Sequence, residues 1–163
     1  MTAPVQAVVI TVSDRCAAGE REDRSGPLAR DLLQAGPVVV RELLVVPDDV
    51  EQIRQAIRVG AENADLVFTT GGTGVGPHDL TPEATAALLA CEIPGLADAI
   101  RAHGQQQVPA ALLSRGLAGL TSREPDAALV VNAPGSPGGV RDAVAALLPV
   151  LSHLLDQRRG GDH

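Results

Sequence analysis

Four short aliphatic runs limit what this chain can become: Val8-Val9-Ile10, Val38-Val39-Val40 continuing through Leu43 to Val46, Leu66-Val67-Phe68 and Leu129-Val130-Val131. Each is apolar at successive positions, the pattern of a strand covered on both faces. Helical patterns fill the spaces between them. Leu28, Leu32 and Leu33 mark one helix, and Ile53, Ala56 and Ile57 recur at i, i+3 and i+4 behind the acidic start Asp48-Asp49. Thr81-Pro82-Glu83 reads as N-cap, first-position proline and first-turn acid of a helix through Leu88 and Leu89. Further helices follow Pro94 and span about 140–155, while 114–124 reads as an irregular or hairpin-like β segment. The alternation predicts an α/β fold, a three-layer α/β/α sandwich around a mostly parallel sheet, with ligands at the carboxyl ends of the strands.

A chain of 163 residues, 45% apolar, suits a single domain over 1–163 with a frayed tail at about 157–163. No 18-residue apolar span and no basic leader are apparent, so the expectation is a cytoplasmic protein with no membrane partner. Cys16 and Cys91 stand apart from any metal-ligand cluster and are expected to be reduced thiols. All 13 basic residues are Arg, which excludes a Walker-A lysine; ATP, if used, is held another way. Phe68 is the only aromatic residue and the net charge is −7. A nucleic-acid partner is therefore not expected, since stacking platforms and a cationic face are both missing.

The richest strand end is Thr69-Thr70-Gly71-Gly72-Thr73-Gly74-Val75-Gly76-Pro77-His78-Asp79. Its glycines let backbone N–H groups turn toward an anion, with threonine hydroxyls as further donors; the same glycines would also serve a plain tight turn. Asp79 just downstream favours a cation between itself and a phosphate, and Mg²⁺ takes one or two carboxylates plus phosphate and water. Asp48 or Asp49 offers the second acid, each also readable as a helix N-terminal acid. The first strand ends in Ser13-Asp14-Arg15, where Arg15 is placed for a bidentate grip on phosphate. Asn132 offers an amide to a heterocycle, Ser136 a cap for the last helix, and Ser114-Arg115 a further hydroxyl and cation. His78, His103, His153 and His163 carry no comparable signal.

In order and separation these motifs resemble the MogA/MoaB family of molybdenum cofactor biosynthesis proteins, relatives of the G domains of gephyrin and its plant counterpart. The resemblance runs from about Ala7 to Leu155. It is carried by Thr11-Val12-Ser13-Asp14-Arg15, Asp23-Arg24-Ser25-Gly26-Pro27, Val46-Pro47-Asp48, Thr70-Gly71-Gly72-Thr73-Gly74, Asp79-Leu80-Thr81-Pro82-Glu83-Ala84-Thr85, Pro94-Gly95-Leu96, Leu113-Ser114-Arg115 and Asn132-Ala133-Pro134-Gly135. It implies a molybdopterin-binding fold and, for the catalytic branch, Mg²⁺-dependent transfer of AMP from ATP to molybdopterin with release of pyrophosphate. The two essential acids, catalytic and metal-holding, fall on Asp48 and Asp79. Substrate contacts fall on Gly71, Gly72, Thr73 and Gly74, on Ser25, and on Asn132, Pro134 and Gly135; Ser13, Asp14, Arg15 and Ser114 complete the expected set. A homotrimer is implied, with hexamers in the MoaB-like branch. His78 departs from relatives that place Arg before the Asp, Gly104 replaces a polar residue, and Gly135-Ser136-Pro137-Gly138-Gly139 looks MoaB-like. The alternative is thus a non-catalytic molybdopterin-binding or carrier protein; a scaffold role is disfavoured by the lack of an appended domain.

Overall fold

The computed structural model describes residues 3–161. One six-stranded sheet carries β1 (Val5–Val12), β2 (Val38–Val46), β3 (Leu66–Thr70), β4 (Cys91–Glu92), β5 (Ala118–Leu120) and β6 (Leu129–Ala133) in the order β2-β1-β3-β6-β5-β4. The pairs β1–β2, β1–β3 and β3–β6 are parallel. Antiparallel β5 and β4 extend the sheet beyond β6.

Alternation along the central strands divides the core in two. Val5, Ala7 and Val9 of β1, with Phe68 and Val131, face α2 (Ser25–Gln34), α5 (Pro94–Gln105) and α6 (Pro137–Arg158). Val8, Ile10, Val67 and Val130 face α3 (Val50–Asn63) and α4 (Thr81–Ala86). This is the expected α/β/α sandwich, and strands so covered must be apolar throughout. Because β2 and β3 flank β1 on opposite sides, their crossover helices α2 and α3 lie on opposite faces. That reversal opens a crevice beyond the carboxyl ends of β1 and β3.

Several local expectations need correction. The outer strand β2 is not covered on both faces: Val45 is 41% exposed, and the register slips so that Ala7 pairs with Val40 and Val8 with Glu42, bulging Arg41 out. Thr81 is not a cap but the first helical residue of α4, behind Leu80. A short helix, α1 (Asp14–Ala17), and the two-residue β4 lack the length to leave a periodic signal. The last helix begins at Pro137, capped by the Ser136 side chain, which accepts from Gly139 N–H at 3.0 Å.

The same helix corrects two further expectations. By length and composition α6 is apolar enough to cross a membrane. Its Val140, Ala143, Val144, Leu147, Leu151 and Leu155 form a buried stripe packed in the core, next to α2 and α5. Nor is the tail frayed from residue 157. Arg158 remains helical, its side chain is 3% exposed, and it donates to Asp65 Oδ1 at 3.0 Å and to the Ala127 carbonyl. Gly160, at φ +84°, closes the helix, and Gly161 N–H returns to the Asp156 carbonyl at 3.0 Å. His163 lies outside the described residues.

Candidate functional site

The loop after β3 is held by its carbonyls. Gly71 O accepts from Thr81 Oγ1 at 2.8 Å and Gly72 O from Thr81 N–H at 3.0 Å. Thr73 O accepts from Arg115 N–H at 2.7 Å and Gly74 O from Arg115 Nε at 2.8 Å. Four consecutive carbonyls are thus directed into the protein. Among the described residues nothing accepts from the N–H groups of Gly72, Thr73 and Gly74, which line the crevice as donors. Gly71 and Gly72 sit at φ +101° and +67°. A Cβ on Gly71 would strike the Val12 carbonyl, and one on Gly72 would strike Thr81 Oγ1, so only glycine fits here.

The loop after β6 is laced to this one: Thr70 Oγ1 donates to Pro134 O at 2.8 Å, Gly71 N–H donates to Ala133 O at 3.0 Å, and a Cβ on Gly135 would lie 3.2 Å from Gly71 Cα. The two loops form a thin wall with a cleft on either side. Both clefts touch Gly72, Asp79, Gly135 and Ser136.

One cleft, of about 530 Å³, is polar and charged: Ser13, Arg21, Arg24, Ser25 and Asp48 line it. The first turns of α2 and α6 meet there at Ser25 and Pro137, so two helix N-termini direct positive potential into it. The other, of about 610 Å³, runs under α5 and the 3-10 turn Pro109–Leu113. Its walls are largely aliphatic, with Ile100, Val108, Ala111 and Leu113, and its polar groups include Thr73, Ser114, Arg141 and Asp142.

The carboxylates separate two roles that the sequence left open. Asp49 caps α3, accepting from Gln52 N–H at 2.9 Å. Asp48 turns away from that helix: its Oδ2 accepts from Asp14 N–H at 3.0 Å, while Asp14 Oδ1 accepts from Asp48 N–H at 2.8 Å. This reciprocal clasp joins the ends of β1 and β2. Asp48 Oδ1 faces Gly72, whose absent Cβ would stand 3.2 Å away. Across the crevice, Asp79 Oδ2 accepts from Gly76 N–H at 2.9 Å. Burial, reinforced by the negative charges of Asp14 and Asp79, pushes the Asp48 carboxyl above the ordinary carboxylate value, against the pull of the Asp14 N–H and of His78. Unbalanced negative charge between two loops fits a small hard cation, with Asp48 and Asp79 as oxygen ligands. Among the described residues no three His, Cys, Asp or Glu side chains are grouped for a metal, so phosphate and water would supply the rest of the shell.

Of the expected site residues, Ser13, Ser25, Gly71, Gly72, Thr73, Gly74, Asp48, Asp79, Ser114, Pro134 and Gly135 line one cleft or both. Arg15 does not: it is exposed on α1 and borders neither cleft, and Arg21 and Arg24 take the cationic positions instead. Asp14 stands behind Asp48 rather than in the cleft. Asn132 is 2% exposed and fully engaged, donating to Thr69 Oγ1 and Thr85 Oγ1 at 3.0 Å each and accepting from Leu117 N–H at 3.1 Å. It joins β3, α4 and β6 and offers nothing to a heterocycle. Thr69 and Thr70 are likewise spent internally. Arg115 donates to the Asp79 and Gly74 carbonyls and pairs with Glu83. Sequence reasoning missed Arg21, Arg141 and Asp142. The last two lie in the second turn of α6 after the Ser136 cap, a placement that helical spacing from the cap could have supplied; the irregular loop holding Arg21 offers no such rule.

Fold and clefts define a class, an α/β/α protein whose switch-point crevice is lined by free backbone amides and by the carboxylates of Asp48 and Asp79. Residues 8–153 match the family profile described as a probable molybdopterin binding domain. The chain is 40% identical over 162 residues to the molybdenum cofactor biosynthesis bifunctional protein of Synechococcus elongatus, covering 99% of this chain and 50% of that protein; it thus spans about half the length of that relative. It is 32% identical over 152 residues to the molybdopterin adenylyltransferase of Helicobacter pylori, covering 91% of this chain and 84% of that protein. The crystal structure of the molybdopterin biosynthesis enzyme MoaB from Thermus thermophilus superposes with a TM-score of 0.87 at 42% identity, covering 96% of this chain and 97% of that one. The chain belongs to the molybdopterin-binding family of molybdenum cofactor biosynthesis proteins.

Proposed function

We propose that this protein transfers AMP from ATP to the terminal phosphate of molybdopterin, releasing pyrophosphate, with Mg²⁺ as the metal. The observation that carries this reading is the shared wall: two clefts meet at Asp79 across a partition made of glycine backbone. Two anionic substrates can meet there without an intervening side chain. The adenylyltransferase name of the Helicobacter relative supports the same chemistry.

The attacking phosphate oxygen is already an anion, so it forms its bond to the α-phosphorus as the bond to pyrophosphate breaks, and no protein base is required. The chain's contribution is alignment and charge. The N–H groups of Gly72, Thr73 and Gly74 hold phosphate oxygens at the wall. Arg21, Arg24 and the N-termini of α2 and α6 offset the negative charge that collects in the polar cleft. Asp48 and Asp79 would hold Mg²⁺, which supplies Lewis-acid neutralisation of phosphate charge. The same reading takes the protein as a cytoplasmic homotrimer.

A second reading, molybdopterin binding without transfer, is supported by the MoaB-like Gly-Ser-Pro-Gly-Gly lead into α6 and by the MoaB structural neighbour. Single-turnover reactions with purified molybdopterin, α-labelled ATP and Mg²⁺ separate the two. Adenylyl-molybdopterin and pyrophosphate in equal amounts are expected. Tight molybdopterin binding with no labelled product would favour the carrier, and no binding at all would sink both.

A further inference from the structure

Asp142 has no part in the chemistry above. It projects from α6 into the aliphatic cleft, its side chain is 18% exposed, and among the described residues no donor hydrogen-bonds it; the half-exposed imidazole of His103 stands beyond hydrogen-bond reach, with Nε2 3.9 Å away. The carboxylate has room only because residue 104 is glycine, where a Cβ would lie 2.9 Å from Asp142 Oδ2 and 2.9 Å from Ala111 Cβ. A half-buried carboxylate with unspent acceptors, walled by Ile100, Val108 and Leu113, is costly unless a ligand donates to it.

We propose that Asp142 is the specificity-determining residue for the heterocycle of the acceptor substrate, a reading that rests on molybdopterin being that substrate. Two carboxylate oxygens match a pair of parallel N–H donors. A 2-amino-4-oxopteridine offers this pair on one edge, its ring N3–H and its 2-amino group. Adenine does not, because its 6-amino donor sits beside an acceptor nitrogen. The aliphatic walls cover the faces of a flat ring, and the phosphate end reaches toward the amides at Gly72 to Gly74. The carboxylate therefore selects the pterin and directs the nucleotide elsewhere in the crevice.

The test titrates the full-length protein, followed by ligand fluorescence, with pterin and with lumazine, which replaces the 2-amino donor by a carbonyl acceptor. Wild type should prefer pterin by on the order of 10- to 100-fold, the effect of a charge-assisted hydrogen bond gained against a repulsive contact. In Asp142→Asn the side chain presents one acceptor and one donor, the complement of lumazine, so the preference should vanish or reverse while the melting temperature does not fall. Pterin binding with an unchanged preference in Asp142→Asn would overturn the role of Asp142 and leave the adenylyltransferase reading intact. Equal affinity of wild type for the two ligands would overturn it without any variant. A wild type that binds neither pterin nor molybdopterin would remove the underlying reading and this inference with it.

Discussion

Burial makes a negative charge on Asp48 costly to the fold. Its carboxyl value is raised above the ordinary 3.8, first by burial and then by its acidic neighbours. An acid whose folded value exceeds its unfolded value favours the folded state when protonated. That contribution is full below the unfolded value and is lost as pH rises through the folded one. A charge on Asp48 is thus a liability to the fold, one that a metal-holding role would justify. Asp48→Asn keeps an oxygen for the Asp14 N–H and removes the charge. It should melt no lower than wild type at pH 7, with any advantage shrinking as pH falls through the folded value and gone below the unfolded one, yet AMP transfer should fall at least 100-fold. Asp79→Asn should lose transfer similarly. Both variants should retain molybdopterin, because charge neutralisation matters most where charge builds during displacement. Calorimetry beside single-turnover kinetics checks the pair, and wild-type rates in both would defeat the assignment. The alternative of a helix-capping role falls on Asp49, which the structure shows to be the cap of α3.

At the level of elements, Arg115 ties the loop after β3 to the start of α4. Arg115 reaches the Gly74 carbonyl and the Asp79 carbonyl at 2.8 Å each and pairs with Glu83, whose carboxyl it holds below the usual carboxylate range. The ion pair itself is solvent-exposed and adds little; the bonds to loop carbonyls matter more. Arg115→Met should cost about 1–2 kcal/mol of stability. It should also speed amide exchange in residues 73–79 and weaken phosphate-ligand binding. Exchange rates identical to wild type would show that the loop stands without it. Such bracing explains what could be read in advance. The three central strands β1, β3 and β6 announce themselves because parallel strands under helices on both faces must be apolar throughout, whereas the outer β2 is half exposed. Ser136 announces itself by its spacing ahead of a helix. Arg115, Asn132 and Arg15 do not, since their roles depend on where a side chain points. Asn132 shares the parity of Val130 and so faces the α3 and α4 layer, where Thr69 and Thr85 absorb its amide. A sequence in hand displays the amide but not its direction. Arg15 leaves the strand end as expected, but the unforeseen turn of α1 carries it away from the crevice.

Over the whole molecule, two of the most exposed large aliphatic side chains, Val108 and Leu113, line the larger cleft. Val75 is 70% exposed, and Val108, Leu112 and Leu113 on and beside the 3-10 turn are each more than half exposed. With a single aromatic residue, the chain has few large side chains to anchor an interface. A homotrimer that covers aliphatic surface of this kind is consistent with the family reading. Light scattering at micromolar concentration should return three times the protomer mass; a monomer would refute the trimer. Replacing Leu112 and Leu113 with Ser should lower that mass if the patch is part of the contact.

The partition between the clefts has a thermodynamic corollary. Gly71, Gly72 and Gly135 give it no side chains to absorb a push, and its backbone is held by hydrogen bonds to β6 and to α4. If the two proposed substrates occupy the two sides, each sets the position of the amides that the other must use. Heterotropic linkage then follows, and it is symmetrical: whatever factor the first ligand lends to the affinity of the second, the second must return to the first.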